Sequence, residues 1–309
     1  MYLPEPDPAA DSEIRARHEA ESRHYWMLAD RVRSERLRQA VFATVKPGDV
    51  VLDVGTGTGL LSMFAVQAGA ARVYAIEHCA ATAGLARDVI ARNSMTDRIT
   101  VIEGSAIEVD LPEPVDVLLI ELIGNLGSEE DIEDVAAGVA TRWLKPGGRC
   151  VPERLRTFAL PVQVSPRPAE VFSHGNYGLD LAVATQLPDP QPGHAFPTFA
   201  RPKRLGPPVL LEDIAVGRPA PVDRTAQAVA LEIDAPGHLQ AVLGYFEAEL
   251  APGVRAHSFP AYPCASWTPY RFPVMPGRLV EPGQRLGFQL QRLGFHRTHT
   301  LGGFVQPLA

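Results

Sequence analysis

Three groups of residues in this chain have types and spacings that could do chemistry. In the first, Asp53 precedes Gly55, Gly57 and Gly59, and Glu77 stands 18 residues after Gly59. Glycines at alternate positions let a backbone turn tightly and bring its amides closer to a ligand than any side chain would permit. A carboxylate at the end of the next strand can accept hydrogen bonds from both hydroxyls of a ribose. The second group is Glu121 with Glu129 and Glu130, separated by a loop containing Gly124 and Gly127. Two carboxylates on a hairpin-like loop suit a guanidinium, whose five donors form a planar fork that pairs bidentately with carboxylate oxygens. Most glutamates are solvated surface acids, and that reading stands beside the clamp. The third group, His296 and His299, has a metal-like spacing but no third ligand nearby, so a strand-and-turn surface is expected there and no metal.

The elements that must position these groups follow from hydrophobic pattern. The apolar run Val50-Val51-Leu52 ends at Asp53, a helical pattern follows the glycines, and a second apolar run closes on Glu77. That is one βαβ unit with a nucleoside-binding layout. Continuing, the pattern predicts strands at 50–54, 72–76, 99–103, 115–121 and 148–152, with helices at 59–69, 80–93 and 129–143. The fold class is α/β, a doubly wound Rossmann-like sheet whose ligand site lies at the carboxyl ends of its strands, which is where Glu121 arrives. Ser128 reads as a helix cap and Glu129 as a favourable charge in the first helical turn.

Ahead of the sheet, residues 1–24 form a Pro-rich and then charged loose arm, and residues 24–41 have helical spacing, closed by Pro47-Gly48. After Gly147 most of the 29 prolines appear and long helical patterns stop. Short alternating segments at 155–163, 226–233, 239–250, 269–275 and 286–291 predict a β-rich second domain, barrel or sandwich. The division expected is 1–24, 25–151 and 152–309. Residues 165–208, rich in Pro, His and Gly without a period, are expected to be functional or to contact a partner chain.

Composition narrows the class. At 309 residues, with 46% hydrophobic and 21% charged, the chain suits a soluble protein of two domains. No apolar run reaches membrane-spanning length, the acidic N-terminus is unlike a secretory signal, and Cys79, Cys150 and Cys264 suit reduced thiols. A cytoplasmic protein with no membrane partner is expected. The net charge of -7 argues against nucleic acid and favours a cationic substrate. Lysine occurs only at 46, 145 and 203, a bias that points to a high-GC, bacterial coding sequence.

The form Asp53-Val54-Gly55-Thr56-Gly57-Thr58-Gly59 resembles motif I of the class I S-adenosylmethionine-dependent methyltransferases more than the GxGxxG fingerprint of dinucleotide enzymes. A dinucleotide site, or a glycine turn with no ligand, remains the alternative. From about Tyr25 onward the chain resembles the protein arginine methyltransferases. Glu121 and Glu130 have the nine-residue spacing of that family's guanidinium clamp, with Glu129 as the neighbouring alternative. Met27-Leu28-Ala29-Asp30 followed by Arg33 is similar to its N-terminal helix, whose arginine binds the cofactor carboxylate. Leu144-Lys145-Pro146-Gly147-Gly148 is similar to the turn after the sheet, and Asn176-Tyr177-Gly178-Leu179-Asp180 to the start of a dimerisation arm. Segments 208–213 and 244–247 resemble strands of its β-barrel. Ser266-Trp267-Thr268-Pro269 falls where the family carries a Thr-His-Trp loop over the substrate pocket, with Ser266 in the histidine's place.

What the resemblance implies is a homodimeric arginine N-methyltransferase that uses S-adenosylmethionine and acts on arginine in a protein or peptide. The cofactor residues it implies are Met27, Arg33, Asp53, Gly55, Gly57, Gly59, Glu77, Ser105, Ala106 and Glu108; the catalytic ones are Glu121, Glu130, Trp267 and Ser266. The family's adenine-facing glutamate falls on Ile107, so Glu108 serves in a shifted register or backbone amides take the role. Met27 looks like the asymmetric-dimethylating branch and Ser266 like the symmetric one. A small-molecule N- or O-methyltransferase of secondary metabolism, taking for example a guanidino metabolite, and a non-catalytic cofactor-binding scaffold are the competing classes.

Overall fold

The computed structural model describes residues 24–164, 193–194, 202–219, 226–259, 266–293 and 300–307. Five strands come first: β1 (Val50–Val54), β2 (Arg72–Glu77), β3 (Ile99–Glu103), β4 (Val115–Ile120) and β5 (Leu144–Val151). They form one sheet in the order β3-β2-β1-β4-β5, every pair parallel. Helices α1 (Arg31–Thr44), α2 (Leu60–Ala68), α3 (Ala80–Arg92) and α4 (Ile132–Trp143) accompany it. Both faces of the sheet are covered, so its central strands read as continuous apolar runs: Leu118, Leu119 and Ile120 are all fully buried. Each such side chain contributes about 1.5–3 kcal/mol on leaving water.

The chain reverses direction across the sheet between β1 and β4. Their register pairs Val54 with Ile120, so the residues that follow, Gly55 and Glu121, leave the sheet side by side. This is the switch point where a crevice opens beyond the strand ends.

The second half is antiparallel. Strands β6 (Arg154–Gln163), β7 (Gly193–His194), β8 (Lys203–Arg204), β9 (Val209–Ala215), β10 (Ala226–Glu232), β11 (Gly237–Ala251), β12 (Val254–His257), β13 (Tyr270–Val280), β14 (Arg285–Leu293) and β15 (Thr300–Pro307) follow in order. β7-β13-β11-β6-β8 form one sheet, with β12 on β11 and β9 on β6, and β10-β14-β15 form a second. Leu155, Ile214, Phe246, Leu250 and Trp267 pack into the same core as the parallel sheet, so the two halves share a hydrophobic seam. A separate cluster around Leu239, Phe272 and Phe288 fills the β-rich half.

Three elements differ from the sequence reading. The helix expected at 129–143 begins only at Ile132, after Asp131 takes a left-handed φ of 58°. Residues 144–148, read as a turn, form an irregular stretch of β5 with a register shift opposite Val115–Val117. β13 continues to Val280, past the expected end at 275, because residues 274–277 bulge out between the pairs Ala241–Pro273 and Leu239–Arg278. A proline there costs no ladder hydrogen bond. The loose arm before residue 24, Asn176–Asp180 with most of the proposed dimerisation segment, Cys264, His296 and His299 lie outside the described residues. Among the described residues no helix is long and apolar enough to cross a membrane, and no cluster of three or more metal-ligand side chains occurs.

Candidate functional site

The glycine loop is built by β1 and held by a buried carboxylate. Asp53, 1% exposed, accepts hydrogen bonds from Thr56 Oγ1 at 2.7 Å and Ser62 Oγ at 2.6 Å. Burial pushes its pKa up, and the Ser62 and Thr56 hydroxyls pull it part of the way back. Asp53 therefore acts on the loop from beneath, through Thr56 and the first turn of α2. Gly55, Gly57 and Gly59 all have positive φ, at 68°, 58° and 81°, so the three glycines are conformational requirements. A Cβ on Gly57 would also lie 2.9 Å from the His24 ring. His24 thus roofs the loop, a contact absent from the sequence reading.

Glu77 ends β2 beside this loop. It is buried, and its two oxygens accept the Gly57 amide at 3.1 Å and the Cys79 amide at 2.9 Å. Cys79 caps α3, and the Thr82 hydroxyl and neighbouring amides lower its thiol pKa. Gly104, also next to β2, donates to the Glu77 carbonyl at 2.9 Å. Ser105 and Ala106 are half-buried in the turn that follows, where the Ser105 carbonyl accepts the Glu108 and Val109 amides at 2.9 Å. Glu108 and Ile107 are both exposed. Glycine amides, a loop with no room for side chains and a buried acid at the next strand end fit a nucleoside with a ribose diol.

The second carboxylate group starts one residue past β4. Glu121 is paired with Arg33 of α1, and both side chains are largely buried. Burial raises the Glu121 pKa, the Arg33 charge opposes this, and Glu130 raises it further. The two expected clamp residues therefore feel each other across the loop. Glu129 is spent differently: both its oxygens accept the Leu126 amide, at 2.9 and 3.0 Å, and its carboxylate lies against Gly124. It braces the loop, whereas Glu130 is exposed. Neither the cap role for Ser128 nor the helical-turn role for Glu129 holds, since α4 begins later and Ser128 donates to Glu212 of β9.

The Ser266–Thr268 segment is fastened on two sides. Trp267, 6% exposed, donates from Nε1 to the Ile123 carbonyl at 3.0 Å. Its ring meets Phe246 edge-on at 5.1 Å and lies 5.3 Å from the Arg33 guanidinium carbon. Thr268 N donates to Asn125 Oδ1 at 2.7 Å. Ser266 donates from both its amide and its hydroxyl to Asp30 Oδ2, at 2.8 and 2.7 Å, while Asp30 Oδ1 caps α1 by accepting the Arg33 amide at 3.0 Å. Met27 is half-buried in the helical stretch 24–29 between His24 and Asp30. Asp30 and Asn125 are residues that sequence reasoning left without roles. His24 and Met27 sit at i and i+3, a spacing that puts them on one helical face.

The fold is an α/β sheet with its crevice at the β1–β4 switch point, and residues 51–148 match a family model described as a methyltransferase domain. Among curated proteins, the chain is 38% identical over 170 residues to protein arginine N-methyltransferase 6 of Danio rerio, covering 53% of this chain and 48% of that one. It is 35% identical over 168 residues to the probable protein arginine N-methyltransferase 6 of Arabidopsis thaliana, covering 53% of this chain and 38% of the relative. The chain spans less than half the length of these curated relatives. Its fold is that of the solved Arabidopsis thaliana protein arginine methyltransferase 10, with a TM-score of 0.72 at 24% identity over 91% of this chain and 97% of that one. The Trypanosoma brucei PRMT1 enzyme-prozyme complex with AdoHcy superposes with a TM-score of 0.71 at 21% identity over 92% and 97%.

Proposed function

We propose that this chain is an S-adenosylmethionine-dependent methyltransferase that methylates a guanidino nitrogen of arginine in a protein or peptide. The observation that carries this is the adjacency of Gly55 and Glu121 across the β1–β4 switch, which puts a nucleoside cradle and a buried, arginine-paired carboxylate at one crevice. The relatives' printed names support the same reaction.

S-adenosylmethionine, when bound, supplies an electrophilic methyl on a sulfonium. Glu77 and the glycine amides are the groups to hold its nucleoside, and Arg33 to meet its carboxylate. Free guanidinium is a poor nucleophile, with a pKa above about 12 and delocalised electrons. Glu121 and Glu130 hold its plane and draw positive charge away from the attacking nitrogen. That nitrogen's pair forms the new N–C bond, the C–S pair stays on sulfur, and the surplus proton passes to a carboxylate or water. Orientation of the two reactants supplies much of the rate, and the Trp267 wall excludes water.

The test is incubation with labelled S-adenosylmethionine and a panel of arginine-rich peptides, free arginine and small guanidino compounds, read by mass spectrometry. Mass gains of whole methyl groups on peptide arginine support the proposal. Labelling confined to small molecules would replace it with the metabolite enzyme, and binding without transfer with the scaffold. A cytoplasmic homodimer is part of the same reading, supported by the cysteine pattern and the family resemblance. A bacterial source is supported by the scarcity of lysine.

Two further results are expected. Glu77→Ala should weaken binding of S-adenosylhomocysteine roughly 10–100-fold by calorimetry, since a hydrogen bond to a charged group is worth about 1.5–3 kcal/mol; unchanged affinity would remove it from the cofactor site. The second concerns pH. Glu121 must be ionised to hold a cation, and its pKa is raised from the ordinary 4.5. The acid limb of kcat/KM should therefore lie above that of a free carboxylate. Glu130→Gln deletes a neighbouring negative charge and should move this limb to lower pH in the residual activity. By linkage, the folded state takes up this proton more readily than the unfolded one, so the Glu121 contribution to stability falls as pH rises between the two pKa values.

A further inference from the structure

One row of the β-rich half lies directly under the carboxylate loop. Across β9, β6 and β11 the register aligns Glu212, Thr157 and Phe246, and Ser258, just past β12, donates its amide to the Phe246 carbonyl at 3.1 Å. Each member of this row meets a successive residue of the loop. Ser258 Oγ donates to the Asn125 carbonyl at 3.0 Å, and Thr157 Oγ1 donates to the Leu126 carbonyl at 3.1 Å. At Gly127, φ is 111° and a Cβ would lie 2.9 Å from Phe246 Cβ. Ser128 Oγ then donates to Glu212 Oε2. Glu212 is 5% exposed, Thr157 and Phe246 are fully buried, and Ser128 and Ser258 are 1% exposed.

A buried carboxylate is costly unless hydrogen-bonded, and hydrophobic residues of similar volume would often serve stability as well. A four-residue polar and steric match to residues 125–128 does something packing alone would not: it fixes where the chain emerges at Glu129 and Glu130. We infer that Glu212, with Thr157 and Ser258 in the same cross-strand row, is a positioning residue that sets the clamp geometry for methyl transfer through Ser128. The inference rests on the proposed function for its catalytic consequence, and on the loop contacts alone for its structural one. The β-rich half is thereby part of the active centre, as the template on which the clamp loop is moulded.

The test uses the full chain with Glu212→Ala, Glu212→Gln and Thr157→Val. The first readout is amide hydrogen exchange of residues 121–131, which needs no activity. Glu212→Ala and Thr157→Val should speed exchange in that segment, and Glu212→Gln should restore protection because its carbonyl still accepts the Ser128 hydroxyl. The second is kcat on an arginine-rich peptide beside separately measured S-adenosylhomocysteine affinity. A displacement of about 1 Å can cost on the order of 100-fold in rate. A fall in kcat of that order in Glu212→Ala, with cofactor affinity unchanged and recovery in Glu212→Gln, supports the assignment. Unchanged exchange in both Glu212→Ala and Thr157→Val overturns it, as does equal loss of cofactor affinity and turnover. If the wild-type chain methylates no arginine, the functional reading fails, while exchange still judges the template. Should Glu212→Ala fail to fold, Thr157→Val and Glu212→Gln decide.

Discussion

Glu121→Gln is expected to lower methyl transfer to an arginine peptide by at least about 100–1000-fold, the loss typical when one preorganised electrostatic contact to a reacting group is removed. Methyl-donor binding should survive. The carboxylate leaves β4 at the crevice edge, next to Gly55, and is ion-paired with the cation Arg33. Replacing it by an amide keeps the volume and one hydrogen-bond acceptor for Arg33 but deletes the charge that the guanidinium needs. It also leaves the Arg33 guanidinium with more of its charge uncompensated, so affinity for a carboxylate-bearing methyl donor should hold or rise. Single-turnover rates measured beside calorimetric S-adenosylhomocysteine binding check both halves. Retained turnover would dismiss the arginine clamp. Lost cofactor binding would instead make Glu121 part of the donor site.

Much of the sheet was legible because its physical constraints are local. A parallel strand covered on both faces reads as a mainly apolar run, and 50–54, 72–76, 99–103 and 115–121 do, with Asp53, Arg72, Thr100, Glu103, Asp116 and Glu121 as their polar members; the structure places strands at each, with Glu121 just past the end of β4. The glycine loop was legible for a related reason, since three alternate glycines answer to three positive φ angles. The start of α4 was not. Ser128-Glu129-Glu130 has the composition of a capped first turn, but Ser128 is taken by Glu212 and Glu129 by the Leu126 amide, so the backbone there is committed before a helix can begin. Those partners stand 84 and three residues away, and only the nearer could have been guessed. The roles of Asp30 and Asn125 were hidden likewise: each acts on the Ser266–Thr268 segment, more than 140 residues downstream. Short strands such as β12 carry too few alternations to register as a pattern.

Removing the other half of the ion pair should do more damage to the fold. Arg33→Ala strips Glu121 of its cation in a site where both side chains are about nine-tenths buried. Breaking such a pair from one side usually costs about 3–5 kcal/mol, because a buried charge is left uncompensated. It also removes the cation 5.3 Å from the Trp267 ring and with it a contact that holds the Ser266–Thr268 segment. Thermal or denaturant unfolding should show the loss, and it should shrink at low pH, where Glu121 takes up a proton and its charge disappears. Stability and function can then be separated by removing both charges. An Arg33→Met, Glu121→Leu double variant fills the same space without a desolvated charge, and replacements of this kind are often neutral or stabilising by about 1–4 kcal/mol. It should recover most of the stability lost in Arg33→Ala and recover none of the methyl transfer. A double variant as unstable as Arg33→Ala would show that the hydrogen bonds Glu121 accepts from Arg33 and the Ile123 amide matter more than charge balance. One that methylates arginine would remove both residues from the chemistry. The expected outcome, a stable and inactive protein, would mean that this buried pair is retained for the crevice it charges, since the fold stands as well without it.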